Sequence, residues 1–385
     1  MKIKNYLIFA LVSFFVFFGY NSAEQNLTTF YESRGILGVA TKALSLLYGV
    51  IIVGCFFSPS ITNKIGIKRT TLIGLSMYTL FVFTLSLKIP VLAYIAALML
   101  GVGCGLSGIA GVDFIRLESP KGKVGEVSGI LNAFRTLGGF IGILTASYLL
   151  SRNIAFESIY TFLGLVMLIG ITILVLFLKE PARERVETER KETSLLESFK
   201  LLKDKRVHLI FPYQAGNGFL FGLILGAIPK MISTYSGLQY VGVVTSLFYL
   251  TLSISGYFTG KLSDKFGRYK MLFLSVVTSV VTVLILMNFK SLLMLTLSMI
   301  FAGFSSSING VVLGALNIDI FKEHIKEASV ALSILSTLFG FIPALILSKN
   351  LSSSTMYFIS LAITIIGFIT INLLRIRESR VSAGN

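Results

Sequence analysis

The sequence predicts an all-α integral membrane protein: twelve transmembrane helices in two six-helix pseudo-symmetric bundles. Three observations lead there. Of the 385 residues, 54% are hydrophobic and only 14% charged, and apolar runs of about 20 residues, the length that crosses a bilayer, recur throughout. A tight charged turn between two apolar segments, Gly260-Lys-Leu-Ser-Asp264-Lys-Phe-Gly-Arg268-Tyr-Lys270, has a weaker copy in Pro59-Ser-Ile-Thr-Asn-Lys-Ile-Gly-Ile-Lys-Arg69, placed 201 positions earlier so that Lys64 falls on Lys265 and Gly66 on Gly267. The same offset lays Leu137-Gly-Gly-Phe-Ile-Gly-Ile-Leu144 over Leu338-Phe-Gly-Phe-Ile-Pro-Ala-Leu345. Two matches at one offset mark a duplication, an architecture in which secondary transporters place a substrate site between their halves.

The spans are expected near residues 5–30, 36–60, 70–88, 90–113, 128–150, 155–178, 207–230, 237–262, 271–289, 291–318, 328–348 and 354–375. Lipid offers a backbone no hydrogen-bond partner, so they are helices, and the ten-residue alternating strands of a barrel are absent. The first segment, with Lys2 and Lys4 before an apolar stretch and Asn21-Ser-Ala23 after it, also has the three parts of a cleavable signal peptide. Its apolar counterpart at 207–230 makes it the first helix. Short connections make sequential helices antiparallel neighbours, and Gly66 and Gly267 suit helix ends that reverse through a left-handed backbone. On the fifth segment Ser128, Asn132, Arg135, Gly138, Gly139 and Gly142 share one face, mixing polar groups with residues small enough for close packing. The eleventh has Ser329, Ser333, Ser336, Gly340 and Pro343 there, with Ser336 in place of the arginine. Between the halves, Lys179–Arg206 carries nine basic and seven acidic residues and reads as a solvated connector. The domains are therefore 1–178, a linker 179–206, and 207–385. Within the linker, Ser194-Leu-Leu-Glu197 is a capping box. Leu195, Leu196, Phe199 and Leu202 then recur at helical spacing, as in an amphipathic helix on the cytoplasmic membrane face or in a plain helical linker.

A net charge of +16 invites a nucleic-acid reading, but the positions of the charges argue against it. With the N-terminus inside, tails and even-numbered connections hold 26 of the 34 basic residues, the opposite side only Arg34, Lys88, Arg152, Lys230, Lys290 and Lys349. This asymmetry is the positive-inside rule: it places both termini in the cytoplasm, makes the lipid bilayer the partner and leaves no nucleic-acid partner. We expect the plasma (cell) membrane. Two cysteines, Cys55 and Cys104, both in apolar segments, support neither a disulfide framework nor a metal cluster. His208 and His324 lie at segment edges, and no triad or phosphate-loop spacing occurs, so neither an enzyme nor a cofactor is expected.

The turn Gly260–Lys270 resembles the loop signature of the major facilitator superfamily, Gly-x-Leu-x-Asp-Arg-x-Gly-Arg-Arg/Lys, which in that family joins helices 2 and 3 and recurs between helices 8 and 9. Here the second copy is the fuller, departing mainly in Lys265, while the first has Asn63 for the aspartate and Ile67 for the arginine. Helix count, duplication and central loop extend the resemblance over the whole chain. It implies the major facilitator fold with helices 1, 4, 7 and 10 around a central cavity, and so Asn21, Gln25, Gln214, Asn217, Asn309 and Asn317 in or near that cavity. It further implies that the turn holds a cytoplasmic gate shut: Gly267 reverses the chain, Asp264 faces the N-terminus of helix 5, and Arg268 pairs with Asp319. Residues 20–87 resemble the superfamily's ion-channel-regulatory, uncoordinated-type branch, through an Asn/Gln-rich end to helix 1, Ser45-Leu-Leu-Tyr48, and Pro59 before a Lys-x-Gly-x-Lys turn.

Charges inside the bilayer cost about 2.5–3.5 kcal/mol on insertion scales, so each needs a reason. Glu24 is the one acidic residue expected within a span and away from the cytoplasmic boundary, and Lys42 lies seven residues into the second. The two helices being neighbours, they read as a cavity ion pair with Glu24 as proton carrier, or as a fixed structural pair. Arg135 reads as a contact for an anionic ligand or a buried carboxylate, or as a snorkelling arginine. The function expected is secondary transport of a small-molecule substrate by alternating access, coupled to protons. The other reading is a non-transporting accessory protein on the same fold.

Overall fold

The computed structural model describes residues 4–32, 39–87, 89–182, 199–237, 239–341 and 353–383, and among these no strand occurs. The chain divides into two units, Met1–Leu196 and Glu197–Asn385. The first holds α1 (Asn5–Glu32), α2 (Val39–Ile65), α3 (Ile67–Ser86), α4 (Pro90–Glu118), α5 (Val124–Ser151) and α6 (Phe156–Phe177). The second holds α7 (Lys205–Ser236), α8 (Gln239–Phe266), α9 (Arg268–Asn288), α10 (Leu292–Ile308), α11 (Gly314–Phe321), α12 (Ile325–Ser336) and α13 (Ser353–Ala383). A π-helical turn, Asn309–Leu313, joins α10 and α11 into one rod. Nine helical stretches among the described residues are long and apolar enough to cross a membrane. One is the run Leu292–Gly340, which holds all but the first residue of the tenth predicted span and most of the described part of the eleventh.

Several helices outrun their predicted ends. α2 continues through Pro59 to Ile65, α4 reaches Glu118 and α8 reaches Phe266. Hydropathy marks only the part of a helix in lipid, whereas backbone hydrogen bonding carries the rod on into water. α7 likewise begins before its predicted span: Asp204 caps it, accepting from the Arg206 N–H at 2.7 Å, so Lys205 and Arg206 form its first turn. Residues 199–201 are helical; the capping box Ser194–Glu197 lies outside the described residues, as do residues 342–345 of the second repeat signal.

In the first unit α2 packs chiefly on α4, and α1 on α5 and α6. Glycine allows these approaches. A Cβ on Gly105 would strike the Cys55 backbone, and one on Gly138 or Gly142 the carbonyls of Phe14 or Phe18, so the small face predicted on α5 seats α1. Phe30, Tyr31 and Tyr160 close the core, with Phe30 edge-on to Tyr160 at 5.0 Å. In the second unit α7 packs on α13, and α8 and α9 on α10. Gly340 there lies against Ala215. The glycine is 202 positions past Gly138 but its partner only 201 past Phe14. The π-helical turn Thr337–Phe341 contains that one-residue slip.

Gly66 and Gly267 turn the chain at φ +90° and +93°, both with extended ψ. Positive φ is what the sequence required of them. The ψ values place them beyond the left-handed helical well, in a region open essentially to glycine alone.

Candidate functional site

Glu24 sits on α1 among phenols. Its Oε1 accepts from the Tyr48 hydroxyl of α2 at 2.6 Å and the Tyr20 hydroxyl at 3.0 Å, and the carboxyl is half-buried. Tyr20 and Tyr78 of α3 meet edge-on at 4.8 Å, and Phe17 packs on Tyr78 at 5.5 Å. Tyr78 in turn interacts with Cys104 of α4. The Arg135 guanidinium of α5 lies over the Phe17 ring at 4.5 Å, within electrostatic reach of Glu24. Five helices thus bring one carboxyl, three phenols, a thiol and a guanidinium together inside one unit.

The expected Glu24–Lys42 pair is not there: no ion pair joins them, and Lys42 is exposed. Lys42 and Tyr48 stand about 120° apart around α2 at 3.6 residues per turn, so the face that brings Tyr48 to Glu24 turns Lys42 away. Asn21 is buried and Gln25 half-buried beside Glu24 on α1. Asn132 is half-buried one turn before Arg135, its carbonyl accepting from Thr136 at 2.8 Å. Sequence reasoning singled out Glu24 and Arg135 but missed Tyr78 and the roles of Tyr20 and Tyr48. Tyr20 was legible, being four residues from Glu24 and so on its face. Also missed was Asp113, buried on α4 and paired with Arg116 at 3.0 Å.

The second unit has a neutral network at the equivalent place. The Asn309 amide of the π turn donates to the Asn217 Oδ1 of α7 at 2.9 Å, and the Ser275 hydroxyl of α9 donates to the Asn309 Oδ1 at 3.0 Å. Ser305 meets Ser275 at 3.1 Å and Ser279 at 2.5 Å. Tyr213, Asn217, Ser275, Ser279, Asn309 and Thr364 border a space for about one water molecule. Gln214 donates to Ser336 at 3.4 Å, and Asn317 is buried with its Oδ1 unbonded. The predicted amides therefore divide: Asn217 and Asn309 join, while Gln214 and Asn317 stand apart from them.

At the turns, Arg268 bridges Asp264 at 2.6 Å and Asp319 at 3.0 Å and donates to Ser263 at 2.5 Å. The first turn, with Asn63 and Ile67 where the second has Asp264 and Arg268, is held otherwise. Glu180, just past α6, accepts from the N–H groups of Ile67 and Lys68 at 2.6 and 2.8 Å, and Lys68 donates to the Val175 carbonyl. A carboxylate there satisfies free amides and meets the positive end of the α3 dipole. Among the described residues no cluster of metal-ligating side chains occurs.

A duplicated, all-helical membrane bundle with a charged signature turn defines a transporter-type membrane protein. Residues 1–143, 84–238 and 210–385 each match the family described as the Major Facilitator Superfamily, and the chain belongs to that family. It is 26% identical to Protein unc-93 homolog A of Xenopus laevis over 96% of this chain and 92% of the relative. Among solved structures it is similar to the Escherichia coli fucose:proton symporter FucP, with a TM-score of 0.76 and 13% identity over 96% of this chain and 99% of that one. It is also similar to the human organic anion transporter MFSD10 (TETRAN), with a TM-score of 0.75 and 13% identity over 95% and 98%. At such identity the solved structures speak for the fold alone.

Proposed function

We propose that the protein is a secondary active transporter that moves a small solute across the plasma membrane by alternating access, with protons as the coupling ion and Glu24 as their carrier. The Glu24 carboxyl carries this reading. It lies within a span, is hydrogen-bonded by two phenols rather than locked to a cation, and is only half-buried, a setting from which a proton can be gained and lost. An intramembrane carboxyl is by default a candidate functional group, and proton relays are among the roles such groups serve. Asn21, Gln25, Asn132, Asn217, Asn309, Gln214 and Asn317 are the neutral groups proposed to meet the solute, and Asp264, Arg268, Asp319 and Gly267 those proposed to latch the cytoplasmic gate. The charge asymmetry of the connections supports cytoplasmic termini. The test is uptake into proteoliposomes under an imposed pH gradient: wild type accumulates its solute, while Glu24→Gln loses gradient-driven accumulation and its pH dependence. Unchanged accumulation by Glu24→Gln would end the coupling assignment.

One observation favours a non-transporting accessory or regulatory role on the same fold. The first signature turn has lost its carboxylate and arginine and is clamped by Glu180 instead. Neither ligand-dependent stabilisation nor gradient-driven flux across a broad metabolite panel would decide for that role.

A further inference from the structure

Arg135 is a charge in an unusual position. It lies eleven residues past Val124, the start of α5, which puts its backbone about 16 Å along the helix. Its guanidinium is held over Phe17, twelve residues past Asn5 and so about 18 Å along α1. The two helices start at the same end of the unit, because Asn5 donates to Glu118 at 2.9 Å shortly before α5 begins. Counted from residue 128, the predicted start of the fifth span, Arg135 lies about 10 Å inside a hydrocarbon core about 30 Å thick. The ring contact therefore keeps the cation within the span, and a snorkelling arginine would leave Phe17 behind.

At that depth the charge has no counter-ion of its own. Among the described residues no carboxylate lies within ion-pair distance of Arg135. Glu24, the acidic group in electrostatic reach, is hydrogen-bonded to Tyr20 and Tyr48 instead. Arg135 is nevertheless exposed, whereas Phe17 beneath it is buried. The repeat partner, Ser336, is uncharged, so packing common to the two halves does not require the cation. An exposed guanidinium within the span, with one face on an aromatic ring and its edge unpaired among the described residues, is a half-built site for a planar anion.

We propose that Arg135 is the recognition point for a small organic carboxylate, the solute class of the transport reading above, on which this inference rests. The guanidinium edge takes the two carboxylate oxygens as a fork, and Phe17 holds the fork in place. The groups facing Glu24 are Tyr20 on α1, Tyr48 on α2, Tyr78 on α3, Cys104 on α4 and Arg135 on α5, so Arg135 is the one cation among them. A carboxylate on Arg135 and a proton on Glu24 offset one another's charge, and by reciprocal linkage each favours the other's binding. The consequence is symport of the acid with a proton.

The experiment uses the purified full-length protein. Its thermal stability is followed with acetate, butyrate, hexanoate and benzoate, each against its uncharged amide at fixed ionic strength, since a bound ligand raises the midpoint by mass action. The expected result is a rise with at least one acid and none with its amide, an apparent Kd at least tenfold weaker in Arg135→Gln, and partial retention in Arg135→Lys, which keeps the charge without the fork. Glu24→Gln keeps the carboxylate effect. Wild type that distinguishes no acid from its amide overturns the proposal, as does a variant lacking the guanidinium that binds as wild type does. If Arg135→Gln is not monodisperse, Arg135→Lys decides, and unchanged affinity counts against the fork. Acid binding lost with Arg135 but without gradient-driven uptake sinks transport and spares the anion site; uptake of a neutral solute indifferent to Arg135 does the reverse.

Discussion

At the scale of single residues, the α1–α5 crossing shows how little room separates packing from chemistry. Gly142 presses on the Phe18 carbonyl and the Ser22 side chain, and its neighbour one turn back, Gly138, on Phe14. Without that approach Phe17 would not reach the guanidinium of Arg135, seven residues before Gly142 on α5. Gly142→Val should therefore cost about 1–3 kcal/mol through overpacking, read as a lower unfolding midpoint in detergent. Gly108→Ala, facing open space in α4, should hold the midpoint or raise it, since alanine is the better helix former by about 1 kcal/mol. An unchanged midpoint for Gly142→Val would mean that the crossing is looser than this. The glycines could be read from spacing on one face. Which helix they meet could not, because spacing gives a face and not its partner. Lys42 failed for the same reason: being close along the chain to Glu24's neighbour says nothing of rotation about the helix axis.

Among elements, the helix ends differ more between the halves than the helices do. The turn after α2 is fastened by Glu180 on two amides of α3, the turn after α8 by Arg268 between Asp264 and Asp319. Glycine with positive φ is common to both. The start of α7 allows a pH test. Burial alone would push the Asp204 carboxyl up, but donation from the Arg206 side chain and N–H outweighs it and holds the group below its usual range. A carboxyl lowered on folding adds stability that is complete above its unfolded value, about 3.9, and lost as pH falls through the folded one. Asp204→Ala should thus destabilise by about 0.5–2 kcal/mol near neutrality, with the gap to wild type closing below about pH 4. A gap constant from pH 7 to pH 3.5 would rule out the ionised cap. The sequence showed the Ser194–Glu197 capping box but not this cap, since Asp204 lies in a charge-rich run that offers several carboxylates as caps.

For the molecule as a whole, duplication copied the scaffold and not the chemistry. Tyr78 and Cys104 in the first unit stand 201 positions before Ser279 and Ser305 in the second. The first pair edges a charged, aromatic cluster; the second is hydrogen-bonded at 2.5 Å within a neutral network. The charge asymmetry of the connections gives a prediction at this scale. A cysteine replacing Arg152, exposed between α5 and α6, should react with an impermeant maleimide on intact cells, and one replacing Lys121, exposed between α4 and α5, only after permeabilisation. Reversed labelling would invert the topology and place the termini outside.

Hydrophobic content, run length and a single repeat offset were enough to determine that this chain is a duplicated helical membrane protein, because lipid leaves the backbone no alternative to the helix and duplication preserves spacing. The gathering of Glu24, Tyr48, Tyr78, Cys104 and Arg135 from five helices was decided only in three dimensions. That gathering depends on how each rod is rotated and how closely glycine lets its neighbour approach, and neither is encoded in the order of residues along any one helix.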